Sequence, residues 1–467
     1  MKALDIVILA AGKGTRMKSS LPKVMMPIAG KPILSHIIAA AKTLDPRDIV
    51  VVVGPDSDML REEFVNERIT FVEQTERKGT GHAVMQATPL LEDGGSTLVL
   101  LGDTPLLTAT ALQGLVQSKA AVNLLSFNAV DPTGYGRVKR GSDGFVQGVI
   151  EEKLATPAER LIKEVSSGVF FFTQDSLARW LPKLTDDNAQ GEYLLPAVIE
   201  HALADGEHVD AVLTNDPDAL MGINDLVQLA SAERVFQRRQ AEALMRDGVR
   251  IIDPDRIDIR GTVSIAPSAL IDVNVVIEGD VTIEPGVVIE SHSVVRDSFL
   301  GAGSRVKAHS HIEGAHLAED CQVGPYARLR PGAHLERDVS VGNFVEVKAT
   351  TMGKGSKASH LSYLGDATIG ASVNIGAGTI TCNYDGVNKW QTVLEDGVFV
   401  GSNTALVAPV HIEQGATIGA GSTITARIEH DALGIGRGKQ RNIPNWPRPT
   451  KQTTGEGLVV KKKPQAE

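Results

Sequence analysis

The run LAAGKGTRM at residues 9–17, with Pro22-Lys23 after it, holds the residue types that grip a polyphosphate. Gly12 and Gly14 let the backbone approach an anion and aim N–H groups at it. Lys13, Arg16 and Lys23 add positive charge. The spacing is neither the P-loop GxxxxGK[ST] nor the dinucleotide fingerprint GxGxxG. A second feature is Gly102-Asp103 in the run LVLLGDTPL, where an apolar stretch ends in a carboxylate. That Asp is either a ligand-binding group or a helix cap. The third is histidine, the side chain suited to take a proton near neutrality. The chain has twelve, and His292, His309, His311, His316, His334, His360 and His411 all fall in its second half. Residue type alone does not choose among them.

These groups need a scaffold. Residues 5–11 read as a buried strand and 32–44 as a helix. Strands follow at 49–53, 70–72, 97–101 and 122–127, with helices at 79–91 and 108–118. Such alternation predicts a mostly parallel sheet with helices on both faces. Ligands of such sheets bind beyond the carboxyl ends of the strands. Both 9–17 and Gly102-Asp103 lie at such ends.

The second half keeps a different count. Ile265, Ile271, Ile277, Ile283, Ile289 and Val295 stand six apart. After a step of five to Leu300 come Val306 and Ile312, and after another five Leu317, Val323, Leu329, Leu335, Val341 and Val347. The count resumes at Val400, Leu406, Ile412, Ile418 and Ile424. A helix repeats its apolar face every 3.6 residues and a strand every two. A six-residue period predicts a solenoid of short strands and corners, closing as a three-sided prism of about nine coils at roughly 4.8 Å per coil. Between Val347 and Ile375 the inward slot falls to Met352, Ala358, Leu364 and Ile369. Between Ile375 and Val400 the count breaks, and residues 381–397 read as a polar loop leaving the prism. Interruptions of this kind are where function is expected.

A connector joins the halves. Residues 225–250 place Leu226, Leu229, Ala230, Phe236, Ala243 and Leu244 at helical spacing. Arg234, Arg238, Glu242 and Arg246 fall on the other side, with Val235 an exception among the charges. Gly248 suits the helix end.

Composition narrows the function classes. The 467 residues exceed one ordinary core, so two domains are expected. A net charge of −10 and an aromatic share of 4% exclude a general nucleic-acid binder. Two cysteines, Cys321 and Cys382, cannot make a disulfide framework and point to a reducing compartment. No apolar run reaches membrane-span length, and a cytoplasmic protein without membrane partners is expected.

The 9–17 run resembles the signature loop of sugar-1-phosphate nucleotidyltransferases. With the hexad prism behind it, residues 3 to about 450 resemble bacterial bifunctional N-acetylglucosamine-1-phosphate uridyltransferase/glucosamine-1-phosphate N-acetyltransferases. The resemblance implies an α/β N-terminal domain, Rossmann-like with a mostly parallel sheet, followed by a left-handed parallel β-helix of hexapeptide repeats. Handedness comes from the resemblance alone, as does assembly into a homotrimer. It implies that Leu9, Ala10, Ala11 and Gly12, with Gln74, Gly79 and Thr80, hold UTP, with Lys23 on the phosphates. Leu101, Gly102 and Asp103 belong to the same site. Asp103 and Asn224 would bind Mg²⁺, and Gly136, Glu151 and Ser166 would contact the sugar. Ser166 stands where the family usually has Asn, so its reach is shorter.

For the prism the resemblance selects His360 as general base. It puts Arg330 and Lys348 on the phosphate of glucosamine 1-phosphate, and Tyr363 and Asn374 on the sugar. Ala377 (through its backbone), Asn383, Tyr384, Ser402, Ala420 and Arg437 would hold acetyl-CoA. Gly434 and Gly436 depart from the family and would loosen the segment around Arg437. The implied activity is acetyl transfer from acetyl-CoA to glucosamine 1-phosphate. Uridylyl transfer from UTP to the resulting N-acetylglucosamine 1-phosphate follows, with release of pyrophosphate. The implied division is 1–225 uridyltransferase, 226–250 linker helix, 251–450 acetyltransferase and 451–467 a poorly ordered basic tail. Two rivals remain: a sugar nucleotidyltransferase whose prism serves only oligomerisation or regulation, and a non-enzymatic assembly or exchange-factor subunit.

Overall fold

In the computed structural model the apolar runs of the first half become the central strands of one sheet. The described residues are 3–91, 94–173, 175–188 and 191–448; the expected basic tail at 451–467 lies outside them. The strands are β1 (Leu4–Leu9), β2 (Asp48–Val53), β3 (Thr70–Glu73), β4 (Ser96–Leu101), β5 (Val122–Asn128), β6 (Arg137–Arg140), β7 (Val146–Ile150), β8 (Glu164–Phe172) and β9 (Val209–Leu213). The order is β9-β5-β8-β4-β1-β2-β3, with β6 and β7 hung from β8. β1 is parallel to both β2 and β4, while β8 runs antiparallel to β4 and β5. Ile6, Val7 and Ile8 are wholly buried, as a strand covered on both faces requires.

The connector is a helix, Leu226–Arg246, whose N-cap Asp225 accepts from the Gln228 amide at 2.8 Å. Its buried face differs from the expected one. Leu226 is exposed, and the fully buried residues are Ala232, Gln237 and Ala241. Val235, the exception among the charges, packs with Leu229 and Phe236 against the head core. The helix is wedged between two bodies, so no single apolar stripe describes it. Ala232 belongs to the head core and Ala241 to the solenoid core. Gln237 replaces a missing strand neighbour: its Oε1 accepts from the Ile259 amide at 2.8 Å, and its Nε2 donates to the Ile259 carbonyl at 2.9 Å. Gly248 takes a left-handed φ of 95° just past the helix end.

Beyond it the chain winds into a three-sided parallel solenoid. The first face is an 11-stranded ladder from Arg250–Ile251 to Leu433–Gly434, and a 17-stranded sheet supplies the other two faces. Eleven rungs exceed the nine or so coils expected, because the ladder begins before Ile265 and continues past Ile424. Every aliphatic residue of the six-count is at most 9% exposed, Met352, Ala358, Leu364 and Ile369 included. The count does not break after Ile375, as expected, but passes to a polar residue. Thr381 is buried in the inward slot; its hydroxyl donates to the Gly365 carbonyl at 3.0 Å and accepts from the Gly365 amide at 2.8 Å. The strand Thr392–Leu394 then rejoins the prism, so the loop is confined to residues 383–391.

Gly434 and Gly436 do not loosen the chain end. A Cβ at 434 would meet Ile428 Cδ1 at 2.1 Å, and one at 436 would meet the Thr423 carbonyl oxygen at 2.3 Å. Both continue the backbone ladder, through Gly419 N to Gly434 O and Thr423 N to Gly436 O, each at 2.9 Å.

Candidate functional site

The head holds a cleft of about 520 Å³ at the carboxyl ends of β1 and β4. Arg16, Thr80, Leu101, Asp103, Gly136, Glu151, Ser166 and Asn224 line it, so groups far apart in sequence converge. Lys23 Nζ stands 2.5 Å from Asp103 Oδ2 and 3.3 Å from Asn224 Oδ1. Gly14 makes room for this: with φ 60°, a Cβ there would meet Lys23 Cβ at 2.6 Å. Gly102 lets β4 lie against β1, since a Cβ would meet the Leu9 carbonyl oxygen at 2.7 Å.

The remaining loop residues sit beside the cleft. Ala10 and Ala11 are buried, Gly12 and Lys13 are exposed, and the Ala11 carbonyl accepts from Arg77 Nε at 2.6 Å. Gln74 is buried and donates to the Gly79 carbonyl at 3.1 Å, fixing the turn before the helix Thr80–Ala87. The Ser166 hydroxyl accepts from the Gly168 amide at 3.3 Å and keeps its proton to donate. Burial pushes the Glu151 carboxyl up. Burial also pushes up the Tyr135 phenol, with the Asp103 charge adding to it. Tyr135 and Arg77 were not singled out in the sequence, where each is an ordinary loop residue.

The prism carries two clusters, at different edges. At the first edge, Asn343, His360, Ala377, Ser402 and Ala420 each follow a stacked inward residue by two, namely Val341, Ala358, Ile375, Val400 and Ile418. They therefore form one column. The exposed His360 ring places Nδ1 2.8 Å from Asn343 Oδ1. Arg437 Nη1 donates to the Ala420 carbonyl, bringing its guanidinium to the same column. Asn374 lies on the adjoining face, stacked on Lys357.

The second edge bears a charge ladder. Glu278, Arg296 and Glu313 stack in register, and Arg330, Lys348 and Gly365 continue the column. The signs alternate until Lys348, where a second cation stands beside Arg330. Arg330 Nη1 donates to Glu346 Oε1 at 2.9 Å, and Lys348 Nζ lies 3.6 Å from Asp366 Oδ2. Lys389, from the 383–391 loop, stands beside Lys348, and the close approach of the two amines pushes Lys348 above and Lys389 below the usual amine range. Gly365 leaves a gap that the Tyr363 hydroxyl and Asn383 Nδ2 occupy; a Cβ would meet them at 2.4 Å and 2.9 Å. Asn383 also donates to Asp366. Tyr384 is exposed and its hydroxyl donates to the Gly386 carbonyl at 2.5 Å. Arg330, Lys348 and Lys389 against the carboxylates of Glu346 and Asp366 leave a net positive charge at this edge, which favours an anion. Lys389, Asp366 and Asn343 escaped the sequence reading; for Lys389 the available signal was its place in the loop that leaves the prism.

A phosphate-gripping α/β head on a hexad solenoid with histidine and cation clusters defines a nucleotidyltransferase fused to a hexapeptide-repeat transferase. Residues 6–136 match the MobA-like NTP transferase domain, 259–352 the GMPPB C-terminal domain, and 391–426 the bacterial transferase hexapeptide of six repeats. The chain is 51% identical over 451 residues to the bifunctional protein GlmU of Pseudomonas fluorescens (strain Pf0-1), covering 96% of this chain and 99% of that one. The GlmU proteins of Stutzerimonas stutzeri (strain A1501) and Acinetobacter baumannii (strain AYE) are 50% and 47% identical, over 96% of this chain and 100% and 98% of theirs. The chain belongs to the GlmU family of bifunctional proteins.

Proposed function

We propose that this chain makes UDP-N-acetylglucosamine by two reactions in series: acetylation of glucosamine 1-phosphate by acetyl-CoA in the prism, then uridylylation of the product by UTP in the head. The chain divides accordingly into a head at 1–225, a linker helix at 226–250 and a prism at 251–450.

In the head, a phosphate oxygen of the sugar forms a bond to the α-phosphorus of UTP as the bond to the pyrophosphate oxygen breaks. Two anions meet, so the site's task is positioning and charge neutralisation. Lys13, Arg16 and Lys23 supply positive charge, the 9–12 backbone with Gln74, Gly79 and Thr80 receives the nucleotide, and Gly136, Glu151 and Ser166 face the sugar. Nucleotidyltransferases of this family work with a divalent metal. The donors here fit one: Asp103 and Asn224 oxygens already converge on a cation, the Lys23 ammonium. One carboxylate and one amide oxygen, with substrate phosphates completing the shell, suit Mg²⁺. Bound there, it would neutralise charge on the phosphates.

In the prism, Arg330 and Lys348, with Lys389 beside them, receive the sugar phosphate, while Tyr363 and Asn374 face the sugar. His360 Nε2 takes a proton from the substrate amine. The amine nitrogen bonds to the thioester carbonyl carbon, the carbon–sulfur bond breaks, and the proton passes to the departing coenzyme A thiolate. Ala377, Ser402, Ala420 and Arg437 hold acetyl-CoA along the His360 column. Asn383 and Tyr384 stand at a different edge of the same prism, and a homotrimer would bring one copy's loop to its neighbour's column. Among the described residues no helix is long and apolar enough to cross a membrane, and both cysteines are free, which supports a cytoplasmic setting.

The observation that carries this reading is the exposed imidazole of His360, engaged at Nδ1 and open at Nε2, in line with the column of Ala377, Ser402 and Ala420. His360→Ala tests it. Thiol release from acetyl-CoA and glucosamine 1-phosphate should be lost while pyrophosphate release in the head continues. Unchanged thiol release would favour a prism that serves only assembly or regulation.

A further inference from the structure

We infer that Asn343 is the positioning residue of the acetyl-transfer site, holding the His360 imidazole as its Nδ1–H tautomer with Nε2 presented to the substrate amine. This rests on His360 being the base.

The geometry is built by the ladder. On this face neighbouring rungs such as Gln322–Val323 and Asn374–Ile375 are two residues long. The rungs Ser340–Asn343 and Lys357–His360 are four each, and pairing continues to Asn343 against His360. The extra pairing needs the coils to touch. A Cβ on Gly342 would meet the Ser359 carbonyl oxygen at 2.0 Å, so only glycine allows this approach. The chain then turns away at Phe344 and Leu361, both left-handed, with φ 57° and 49°. Asn343 is thus fixed one coil from His360, its amide oxygen 2.8 Å from Nδ1. An amide oxygen can only accept, so the proton sits on Nδ1 and the lone pair on Nε2.

The partner is neutral. His311, His411 and His430 each lie within ion-pair distance of a carboxylate. Among the described residues His360 has no such pair. A carboxylate here would favour the imidazolium, which cannot act as base. An amide fixes the tautomer without that cost, as a base operating near neutrality requires.

The test uses the full chain, with pyrophosphate release in the head reporting folding. Asn343→Ala should lower kcat for thiol release about 10–100-fold, a part of the roughly 10²–10⁴-fold that a positioned base contributes, with both KM values within about twofold. Asn343→Asp keeps an acceptor oxygen but adds charge. It should move the acid limb of the kcat profile up by about one pH unit and recover most of the wild-type rate above that limb. A merely structural role would lower activity without moving the limb. An unchanged kcat in Asn343→Ala, or an unmoved acid limb in Asn343→Asp, overturns the inference. If His360→Ala keeps its thiol release, the base assignment itself fails and the positioning role goes with it.

Discussion

Lys23 Nζ sits 2.5 Å from Asp103 Oδ2, across 80 residues of sequence. The contact is partly buried, with side-chain exposures of 11% and 22%. The ammonium therefore occupies the point on which the Asp103 and Asn224 oxygens converge, the position proposed for the cation that meets the phosphates.

Replacing it separates the two activities. Lys23→Met should reduce pyrophosphate release by about 10²-fold or more, the scale of removing one preorganised charge from a transition state. Thiol release, at the prism, should stay within twofold. Both are measured on one preparation; equal losses would mean a folding defect instead.

Lys348 is where the column Glu278, Arg296, Glu313, Arg330 stops alternating in sign. Lys348→Glu would continue the alternation beside Arg330 but would also set a second carboxylate next to Asp366, now 3.6 Å from Lys348 Nζ, so the solenoid should melt somewhat earlier than wild type while staying folded. The phosphate, however, would meet an anion. A charged hydrogen bond of about 1.5–3 kcal/mol is lost and repulsion is added, so KM for glucosamine 1-phosphate should rise at least about tenfold. Steady-state kinetics and a melting curve test the two halves of this claim. A variant with normal KM would remove Lys348 from the phosphate site.

Much of this architecture was legible in the sequence, and the failures have physical reasons. The six-count worked because an inward slot in a narrow prism admits a branched aliphatic and little else, as the full burial of Ile271 through Leu335 shows. It failed at Thr381, where a hydroxyl satisfied by Gly365 fills the slot as well as a methyl would. The connector's periodicity failed because a helix touching two bodies has no single buried face. Gln237 reads as surface and is 1% exposed. At the sites, motif residues in one short run could be read together. Partners that meet only through stacking could not: Asn343 lies seventeen residues from His360, and Lys389 sits in a polar loop like any surface lysine.

Gly365→Ala tests the crowding at the second edge. The added methyl would displace the Tyr363 hydroxyl and Asn383 Nδ2, which lie 2.4 Å and 2.9 Å from its position. Thiol release should fall about tenfold or more, since misplacement of positioning groups costs on that scale. Pyrophosphate release should be untouched. Normal thiol release in this variant would show that neither side chain matters to the prism's chemistry.

Gln237 ties helix to solenoid through both backbone groups of Ile259. Gln237→Leu would leave the buried Ile259 N–H unpaired and its carbonyl with only the longer 3.4 Å bond from Gln240 Nε2. An orphaned buried group costs about 1–3 kcal/mol, enough to lower the midpoint of thermal unfolding by several degrees. Differential scanning calorimetry measures it. No change would mean that water reaches Ile259 and replaces the amide.

Glu151 gives a pH dependence of definite sign. Burial raises its carboxyl above the usual glutamate range in the folded head. A raised folded value means the native state binds more protons than the unfolded chain between the two values, so stability falls as pH rises through that window. Below the ordinary glutamate value, near 4.3, both states are protonated and the penalty vanishes. Glu151→Gln removes the charge without changing shape. It should melt higher than wild type at neutral pH, and the gap should close as pH drops below that range. The same variant should bind N-acetylglucosamine 1-phosphate more weakly, because the carboxylate is the stronger acceptor for a sugar hydroxyl. A head destabilised at neutral pH by this change would show that the charge of Glu151 is compensated by a partner, and that its place in the cleft is structural.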